Sequence, residues 1–516
     1  MTGAEALVQT LLACGVRACF ANPGTSEMHL VAALDGAAGL KCVLGLSEGV
    51  VTGMADGYAR MTGGPGVTLL HLGPGLGNGI ANLHNAKKAL TPIINIVGDH
   101  ATYHQSYDAP LSSDVAALAE TVSSWVRSSE TSLELASDLA DAHAASLSRG
   151  GATATLIVPA DAAWSAGGVA APPRPPAPFA PIETSKVSEA AALLGNGKRT
   201  GILIGGAALQ EPLLSMAAGL ASRAGARLLR PTSVGRTQSG AGRPRVMRIP
   251  YPVVDAVNLL ADFEQVILCG AAEPVAFFAY PGKPSLVLPV GCALHTLAGP
   301  RDDVVSALRL LDAELGGEPV AIARNQRGEH PPQQGAITAE KIGLSLISLL
   351  PDNAVVVDEA ITSSHAILPC LEQAAPHDLL QLTGGAIGIG LPLATGAALG
   401  DPTRQVVCLQ ADGSGMYTVQ ALWTQAREEA NIVTIILANH AYATLRGEFA
   451  NVGVSNPGPN ALGMSDLSNP RIDWTALAGS LGVEAHRATT MTEFEEQLSG
   501  ALRRGGPVLI EANLAP

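Results

Sequence analysis

The sequence predicts an α/β protein built from three domains, each with a doubly wound parallel sheet. Apolar runs of strand length alternate with helical patterns along the whole chain, which is typical of parallel strands buried on both faces. The composition is 47% hydrophobic but only 3% aromatic, and it includes 57 glycines. This mixture favours a large α/β protein with many short strand-to-helix turns. The length of 516 residues suits about three domains of roughly 150 residues each.

Two connector-like stretches divide the chain. The first, "SAGGVAAPPRPPAPFAPIETS" (165–185), is rich in proline and predicts an extended, semi-rigid linker. The second, "RNQRGEHPPQQGAIT" (324–338), is polar and contains a Pro-Pro break. We therefore expect domains at 1–164, 186–322 and 337–516.

Each predicted domain contains apolar runs that we assign to strands. In chain order the clearest are "GVTLLHL" (66–72), "PIINIVGD" (92–99), "TGILIGG" (200–206), "AVVVDE" (354–359), "QVVCLQAD" (405–412) and "NIVTIILAN" (431–439). Doubly wound sheets bind ligands at the carboxyl ends of their strands. The last two runs end on Asp412 and Asn439, so these residues are expected at such an edge.

Composition and charge exclude several classes of function. The formal net charge of −14 argues against nucleic-acid binding, which rewards clustered Lys and Arg. There is no apolar stretch of about 18 residues to span a membrane, and residues 1–20 lack the pattern of a signal peptide. The seven cysteines are scattered without a CxxC pair, which favours free thiols and a cytoplasmic location.

The strand ends at 412 and 439 indicate a site for a metal and a diphosphate. Magnesium prefers hard oxygen ligands, which the Asp412 carboxylate, the Asn439 amide and the Ala441 carbonyl would supply. Gly413 would let the backbone approach a diphosphate, and Ser414 could donate a hydrogen bond to it. The alternative is that both strands simply end in turns rich in Asp, Gly and Asn.

The motifs "ADGSG" and "NHAY" are 27 positions apart, counted from Asp412 to Asn439, and they resemble the GDG…N signature of thiamine diphosphate (ThDP) enzymes. Ala411 and His440 depart from that signature at positions not expected to bind the metal. "GLSEGVVTGMADGYAR" (45–60) resembles the segment that carries the cofactor-activating glutamate of ThDP decarboxylases and acetolactate synthases, which implies that role for Glu48. Alone, Glu48 could equally be a first-turn glutamate favoured by the helix dipole.

Further segments extend this resemblance over nearly the whole chain, least clearly in its middle part. "FANPGTSE" (20–27) and "LHLGPGLGN" (70–78) resemble active-site loops of benzoylformate decarboxylase and acetolactate synthase, and "TGGAIGIGLPLATGAALG" (383–400) and "DEAITSS" (358–364) resemble cofactor-binding stretches. The resemblance implies catalytic roles for His71 and Thr25. It implies cofactor contacts for Gly24, Asn78, Thr362, Ser363, Gly385, Ile387, Gly413, Ser414 and Tyr442.

The resemblance implies an enzyme that uses ThDP and Mg²⁺ to decarboxylate a pyruvate-like 2-oxo acid. We expect ligation of the remaining unit to a second carbonyl, as in acetolactate synthase. A second proton-transferring histidine, expected in the middle domain, is replaced in "VAFFAYPGKP" (275–284) by Phe277, Phe278 and Tyr280. The alternative is simple decarboxylation to an aldehyde, as in benzoylformate decarboxylase.

Two other classes of protein fit the sequence less well. A non-catalytic ThDP-fold protein would have little need of Glu48, and a nucleotide-dependent oxidoreductase lacks a full glycine fingerprint. "GILIGGAAL" (201–209) is a lone glycine turn, so FAD is possible but not evident. His100 and His104 have no third metal ligand and are assigned to substrate contacts or loop packing.

The resemblance also implies an assembly. In this family the glutamate and the metal site face each other across two subunits, so we expect a homodimer or homotetramer. The expected partners are small-molecule 2-oxo acids.

Overall fold

The computed structural model describes residues 1–317 and 320–515. Its first sheet comprises β1 (Ala18–Asn22), β2 (Lys41–Leu44), β3 (Gly66–Leu70), β4 (Ile93–Asp99), β5 (Trp125–Ser128) and β6 (Thr153–Pro159). The six strands are parallel in the order β2-β1-β3-β4-β6-β5. The helices around them are α1 (Gly3–Ala13), α2 (Met28–Asp35), α3 (Glu48–Thr62), α4 (Leu72–Ala89), α5 (Val115–Glu120), α6 (Leu135–Leu147) and α7 (Ala160–Trp164).

The second sheet is smaller. The strands of this part of the chain are β7 (Thr200–Ile204), β8 (Arg227–Arg230), β9 (Arg236–Ser239), β10 (Met247–Arg248), β11 (Gln265–Cys269) and β12 (Ala293–Ala298). Five of them form a parallel sheet in the order β10-β8-β7-β11-β12. The helices are α8 (Thr184–Gly195), α9 (Leu213–Ala224), α10 (Val253–Leu260) and α11 (Val304–Glu314).

The third sheet carries the strands whose ends we assign to the metal. Its own strands are β13 (Ala354–Glu359), β14 (His377–Gln381), β15 (Val406–Ala411), β16 (Ile432–Ala438), β17 (Glu484–Ala488) and β18 (Val508–Asn513). With β9 added, the order is β17-β18-β16-β15-β13-β14-β9, parallel except at β9. The helices are α12 (Ala339–Leu349), α13 (Ser364–Leu371), α14 (Gly390–Gly400), α15 (Asp412–Gly415), α16 (Ala421–Arg427), α17 (Ala443–Asn451), α18 (Pro459–Gly463), α19 (Trp474–Ser480) and α20 (Met491–Arg504).

These sheets confirm the predicted α/β class with three parallel-sheet units. One strand departs from the predicted division of the chain. β9 lies in the segment 186–322 but pairs antiparallel with β14, and its Arg236 donates to Asp378 at 3.0 Å. Glu318 and Pro319 of that segment, and Pro516 of the segment 337–516, lie outside the described residues.

Local signals explain why the elements form where they do. Every residue of β3, β6, β11, β13 and β16 is buried, as expected for parallel strands covered by helices on both faces. Thr2 and Glu5 form a capping box at the start of α1, and Thr490 and Glu493 form another at α20. Across the described ranges, no helix combines the length and the hydropathy that crossing a membrane requires.

The first and third units are joined through α3 and α14. The two helices approach so closely that a Cβ at Gly57 would lie 2.1 Å from the Leu393 carbonyl oxygen. Buried Arg60 pairs with Asp56 at 2.6 Å and donates to the carbonyls of Gly235 and Gln381. One side chain of α3 therefore contacts all three parts of the chain and fixes the carboxyl edge of the third sheet relative to the first.

Candidate active site

Asp412 and Asn439 lie side by side at the carboxyl edge of the third sheet. They follow β15 and β16, which pair in parallel up to Ala411 and Leu437. The Asp412 carboxylate is 3% exposed and accepts hydrogen bonds from the backbone N–H groups of Gly413 (2.8 Å) and His440 (2.7 Å). The Asn439 side-chain oxygen accepts from the backbone N–H of Ala441 at 3.0 Å. The loops that follow β15 and β16 are therefore hydrogen-bonded to each other, and they carry the predicted ligands.

The chemistry of these donors fits a divalent cation. Burial raises the pKa of Asp412, against the opposing effect of the two backbone N–H groups, because a buried carboxylate is costly to ionise. Nδ1 of His440 lies 4.0 Å from the Asp412 carboxylate. Within residues 1–317 and 320–515 no three His, Cys, Asp or Glu side chains form a metal cluster. The candidate set is of another kind: one carboxylate, one amide oxygen and one carbonyl, which Mg²⁺ accepts when phosphate and water complete its shell.

Of the residues predicted to hold the diphosphate, Gly413, Ser414 and Tyr442 lie in or against this loop. A Cβ on Gly413 would lie 2.4 Å from Cε1 of Tyr442, so only glycine lets that ring pack here. Ser414 is buried, and its hydroxyl accepts from Nε2 of Gln410 at 2.7 Å. Thr362 contacts the hydroxyl of Thr444 at 2.9 Å, and Ser363 precedes α13 without capping it. Their roles as diphosphate ligands stay predictions.

A cavity of about 520 Å³ lies between the second and third units. Gly385 and Ile387 line it, together with the aromatic rings of Phe277 and Phe278. Gly385 has φ +77°, and a Cβ there would lie 2.8 Å from Cζ of Phe277. Glycine is required on both counts. Ile361, which also lines the cavity, has φ +51°, a rare conformation for a β-branched residue and a sign of local strain.

The loop that carries Gly385 and Ile387 is held by two buried side chains that our sequence analysis missed. Asn85 of α4 is fully buried, accepts from the N–H groups of Gly384 and Ala386, and donates to the Ala386 carbonyl at 2.7 Å. Glu359 accepts from the N–H groups of Gly388 and Gly390, both at 2.5 Å. Burial raises the pKa of Glu359 to about 7. In the sequence, the only signal for Glu359 is that the apolar run 354–359 ends in two acids, Asp358 and Glu359.

Glu48 is the first residue of α3 and is 8% exposed. Its two carboxylate oxygens accept from the side-chain amides of Asn22 (3.0 Å) and Asn78 (3.1 Å). Asn78 was predicted to contact the cofactor, and here it contacts the glutamate. Asn22 was missed, although it lies in the quoted segment 20–27. Each carboxylate oxygen accepts only one of these hydrogen bonds, so Glu48 can still accept a hydrogen bond from a ligand.

His71 lies at the start of α4, where Nδ1 is 2.8 Å from the carboxylate of Glu27. A Cβ on Gly24 would lie 2.2 Å from the same nitrogen, so the predicted glycine is what lets His71 pack here. The hydroxyl of Ser26 lies 3.3 Å from Nδ1 and also bonds to Glu27. Thr25, the predicted hydroxyl residue, is exposed at the start of the same turn and stays a prediction. Glu27 and Ser26 were missed because they contact His71 only in the folded chain.

Among the described residues of one chain, Glu48 and His71 lie outside the cavity that Ile387 lines. The described residues that line the large cavity come from positions 232–451, and Glu48 and His71 are not among them. His100 and His104 lie together with their rings 5.4 Å apart. His100 lines a separate cavity of about 280 Å³ beside Asp99.

Comparison with known proteins finds family models that match both end parts of the chain. The family model described as "Thiamine pyrophosphate enzyme, N-terminal TPP binding domain" matches residues 1–119. Its counterpart, "Thiamine pyrophosphate enzyme, C-terminal TPP binding domain", matches residues 363–512. Thiamine pyrophosphate is another name for ThDP, and the two matched ranges contain Glu48 and Asp412 respectively.

Relatives extend over the whole chain. The chain is 47% identical to a Mycobacterium tuberculosis protein named "Putative acetolactate synthase large subunit IlvX", over 99% of this chain and 98% of the relative. It is 29% identical to benzoylformate decarboxylase of Pseudomonas aeruginosa, over 96% of each chain. The ThDP-dependent 4-hydroxybenzoylformate decarboxylase of Rhodococcus jostii RHA1 shares its fold, with a TM-score of 0.85, 24% identity and coverage of 100% and 99% of the two chains. The chain therefore belongs to the family of thiamine diphosphate-dependent enzymes.

Proposed function

We propose that this enzyme decarboxylates a 2-oxo acid and ligates the remaining acyl unit to a second carbonyl compound. The observation that carries the proposal is the wall of the cavity beside Ile387. Phe277 and Phe278 occupy the loop where a proton donor was expected, and their rings form an edge-to-face pair with centroids 4.8 Å apart. An apolar wall at this point disfavours protonation of the bound unit and leaves it available to a second carbonyl. The acetolactate synthase name of the 47% identical relative supports the same conclusion.

Within this proposal the cofactor is ThDP, held through its diphosphate by a Mg²⁺ ion bound to Asp412, Asn439 and the Ala441 carbonyl. When bound, ThDP supplies an electron sink next to the carbonyl carbon. Gly413, Ser414, Thr362, Ser363 and Tyr442 bind the diphosphate end. Gly385 and Ile387 would hold the pyrimidine end, and Glu48 would hold a proton for the ring nitrogen.

We also propose that the working unit is a homodimer or a homotetramer. Glu48 does not line the cavity that contains Ile387, so a partner subunit would complete each site. The seven cysteines are all free thiols, which supports a cytoplasmic location.

A second candidate is decarboxylation to an aldehyde without ligation. A specific observation favours it: His365 of α13 lines the cavity beside Ile387, and His71 is oriented by Glu27. Either imidazole could supply the proton that forms an aldehyde.

Product analysis separates the two candidates. The purified enzyme with ThDP and Mg²⁺ would be offered pyruvate and benzoylformate separately. Acetolactate from pyruvate is the expected outcome under ligation. Benzaldehyde from benzoylformate, with no acetolactate from pyruvate, would reject ligation and assign the enzyme to the decarboxylases.

A further inference from the structure

Two arginines of the second sheet lie at one end of the large cavity. Arg230 ends β8 and Arg248 ends β10, and the two are paired residues of neighbouring parallel strands. Arg248 lines the cavity, whereas Arg230 is 9% exposed behind it. Burial, reinforced by the charge of Arg248, lowers the pKa of Arg230 to about 10. Two positive charges are therefore held close together at a partly desolvated site.

Two acids that line the cavity, Asp358 and Glu359, are already hydrogen-bonded to other groups. Asp358 accepts from the Ser364 hydroxyl at 2.6 Å, from the Gln381 amide at 3.3 Å and from the Ala360 backbone. Glu359 accepts from two backbone N–H groups of the loop that carries Ile387. In the part of the chain that the structure describes, neither acid forms an ion pair with Arg230 or Arg248.

Arg248 has more hydrogen-bond donors than the described residues accept. Its Nε donates to the Thr232 carbonyl at 2.6 Å, and the four N–H groups on its terminal nitrogens have no acceptor among the described residues. Arg230 by contrast donates to the Gln381 side chain at 3.2 Å. A half-buried guanidinium that faces a cavity without an acceptor is costly, and a planar oxyanion would satisfy it in a bidentate manner.

The other charged groups that face the cavity are engaged elsewhere. Lys283 donates to Asn451 at 2.7 Å and lies over the ring of Tyr280. Glu448 accepts from the Asn451 amide at 3.0 Å and bonds to the hydroxyl of Tyr280. Burial, then the charge of Arg248, lowers the pKa of His365, which favours the neutral imidazole. Arg248 thus stands out as the cation available to a ligand.

We propose that Arg248 binds a carboxylate of the substrate and thereby restricts this enzyme to acids that can place a carboxylate at that end of the cavity. The inference rests on the proposed function, because it assumes that the cavity beside Ile387 admits the substrate. The carboxylate belongs either to the 2-oxo acid group itself or to a second acid group further along the substrate. Arginine suits both, since its fork matches the two oxygens of a carboxylate.

The test is direct binding to the enzyme loaded with ThDP and Mg²⁺, by isothermal titration calorimetry. The probes are unreactive: butyrate, glutarate and the neutral amide butyramide. Both acids should bind wild-type enzyme and butyramide should bind at least about tenfold more weakly, since one charge-assisted contact changes affinity by about 10- to 100-fold. Glutarate binding more tightly than butyrate would assign Arg248 to a second acid group, and equal affinities would assign it to the reacting acid.

Three variants complete the experiment. Arg248→Gln should weaken the binding of both acids by about 10- to 100-fold. The affinity of Arg248→Lys should lie between those of Arg248→Gln and wild type, because lysine keeps the charge but not the fork. Arg245→Gln, at an exposed arginine of the same segment, is the matched control and should bind like wild type. Melting temperature and ThDP retention verify that each variant is folded.

The proposal is overturned if Arg248→Gln binds both acids with wild-type affinity. It is also overturned if butyramide binds wild-type enzyme as tightly as butyrate, or if neither acid binds. Because no turnover is involved, the result is independent of the product analysis: failure of ligation would leave a measured carboxylate site intact, and the reverse also holds.

Discussion

At the scale of single residues, the best-defined feature is the contact between Glu27 and His71. Glu27 is fully buried, and its Oε1 lies so close to Gly98 that a Cβ there would be 1.9 Å away, so only glycine fits beside the carboxylate. It accepts from the backbone N–H of Gly24 at 2.8 Å and from Nδ1 of His71 at the same distance. A carboxylate that accepts from Nδ1 leaves Nε2 as the nitrogen that can exchange a proton with a ligand.

We therefore expect Glu27→Gln to lower kcat by at least about tenfold, because the amide can no longer fix the imidazole with Nδ1 as donor. KM and ThDP affinity should change little, since neither the cavity nor the metal loop is altered. Steady-state kinetics and a ThDP fluorescence titration measure both quantities. Glu120→Gln, at the exposed end of α5, is the control. A wild-type kcat for Glu27→Gln would contradict a proton-transfer role for His71.

Glu48 supports a second prediction at this scale. Glu48→Gln keeps the size of the side chain and one oxygen that can accept from Asn22 or Asn78, so ThDP should still bind. Turnover should fall by at least about 100-fold, because an amide cannot hold the proton that activates the cofactor. The same kinetics and titration apply, again with Glu120→Gln beside it. Near-normal turnover would refute the role assigned to Glu48.

At the scale of elements, the loop between β14 and α14 is positioned by its neighbours on both sides. Asn85 of α4 holds it near Gly384 and Ala386, and Glu359 at the end of β13 holds it near Gly388 and Gly390. These anchors come from two different sheets. The position of Ile387 in the cavity therefore depends on how the first and third units pack.

Glu359 makes this loop sensitive to pH. Its pKa is raised from 4.5 to about 7 by burial, so the folded protein holds the proton more tightly than the unfolded chain. The stability that this proton contributes is complete below about pH 4.5 and is lost as the pH rises through 7. Glu359→Gln does not titrate, so its melting temperature should fall less than that of wild type over this window.

Differential scanning fluorimetry across the same pH range measures this difference. Glu340→Gln, at an exposed position of α12, should keep the wild-type slope. Parallel curves for Glu359→Gln and wild type would show that Glu359 is ionised throughout and would remove it as the cause.

The ends of β15 and β16 carry another prediction. Asp412→Ala removes the one carboxylate of the proposed metal set, so ThDP should no longer be retained through gel filtration in the presence of Mg²⁺. Wild type should retain ThDP with Mg²⁺ and release it with EDTA. Asp352→Ala, at an exposed position before β13, is the matched control. Unchanged retention by Asp412→Ala would reject the metal assignment.

At the scale of the whole molecule, the cavity and the catalytic candidates Glu48 and His71 lie on different units of the chain. The cavity with Gly385 and Ile387 lies between the second and third units, and Glu48 and His71 lie on the first. Buried contacts of Arg60 and the close crossing of α3 and α14 hold these units together. A second subunit could bring its own Glu48 to the cavity without any rearrangement within the chain.

Subunit complementation tests this arrangement. Glu48→Gln and Asp412→Ala should each be inactive alone. Co-expressed in equal amounts they should recover about one quarter of wild-type activity, because half of randomly paired dimers are mixed and each mixed dimer has one intact site of two. The control is the co-expression of two Glu48→Gln chains that carry different affinity tags. Absence of recovery, with mixed dimers shown by tandem purification, would place each site within one chain.

The parts of this protein that the sequence predicts are those set by local physics. Apolar runs buried on both faces identify β15 and β16, and their parallel direction brings Asp412 and Asn439 to one edge. Glu48 was identified by a motif within its own segment, and the glycines at 385 and 413 stand where backbone conformation or a neighbouring ring excludes any side chain. These properties depend on neighbouring residues in the sequence or on the direction of a strand.

Contacts between distant parts of the chain were decided by tertiary structure. The sequence analysis did not single out Ser26, whose hydroxyl is brought by packing to His71, 45 residues away. Asn85 reaches the Gly384 loop across about 300 residues, and β9 leaves its own unit to pair with β14. By itself the sequence determined the fold class, the cofactor family and the strand ends to which we assign the proposed metal site. Which side chains meet around His71, Ile387 and Arg248 was decided only by the packing of the three sheets, because no local pattern records which faces come into contact.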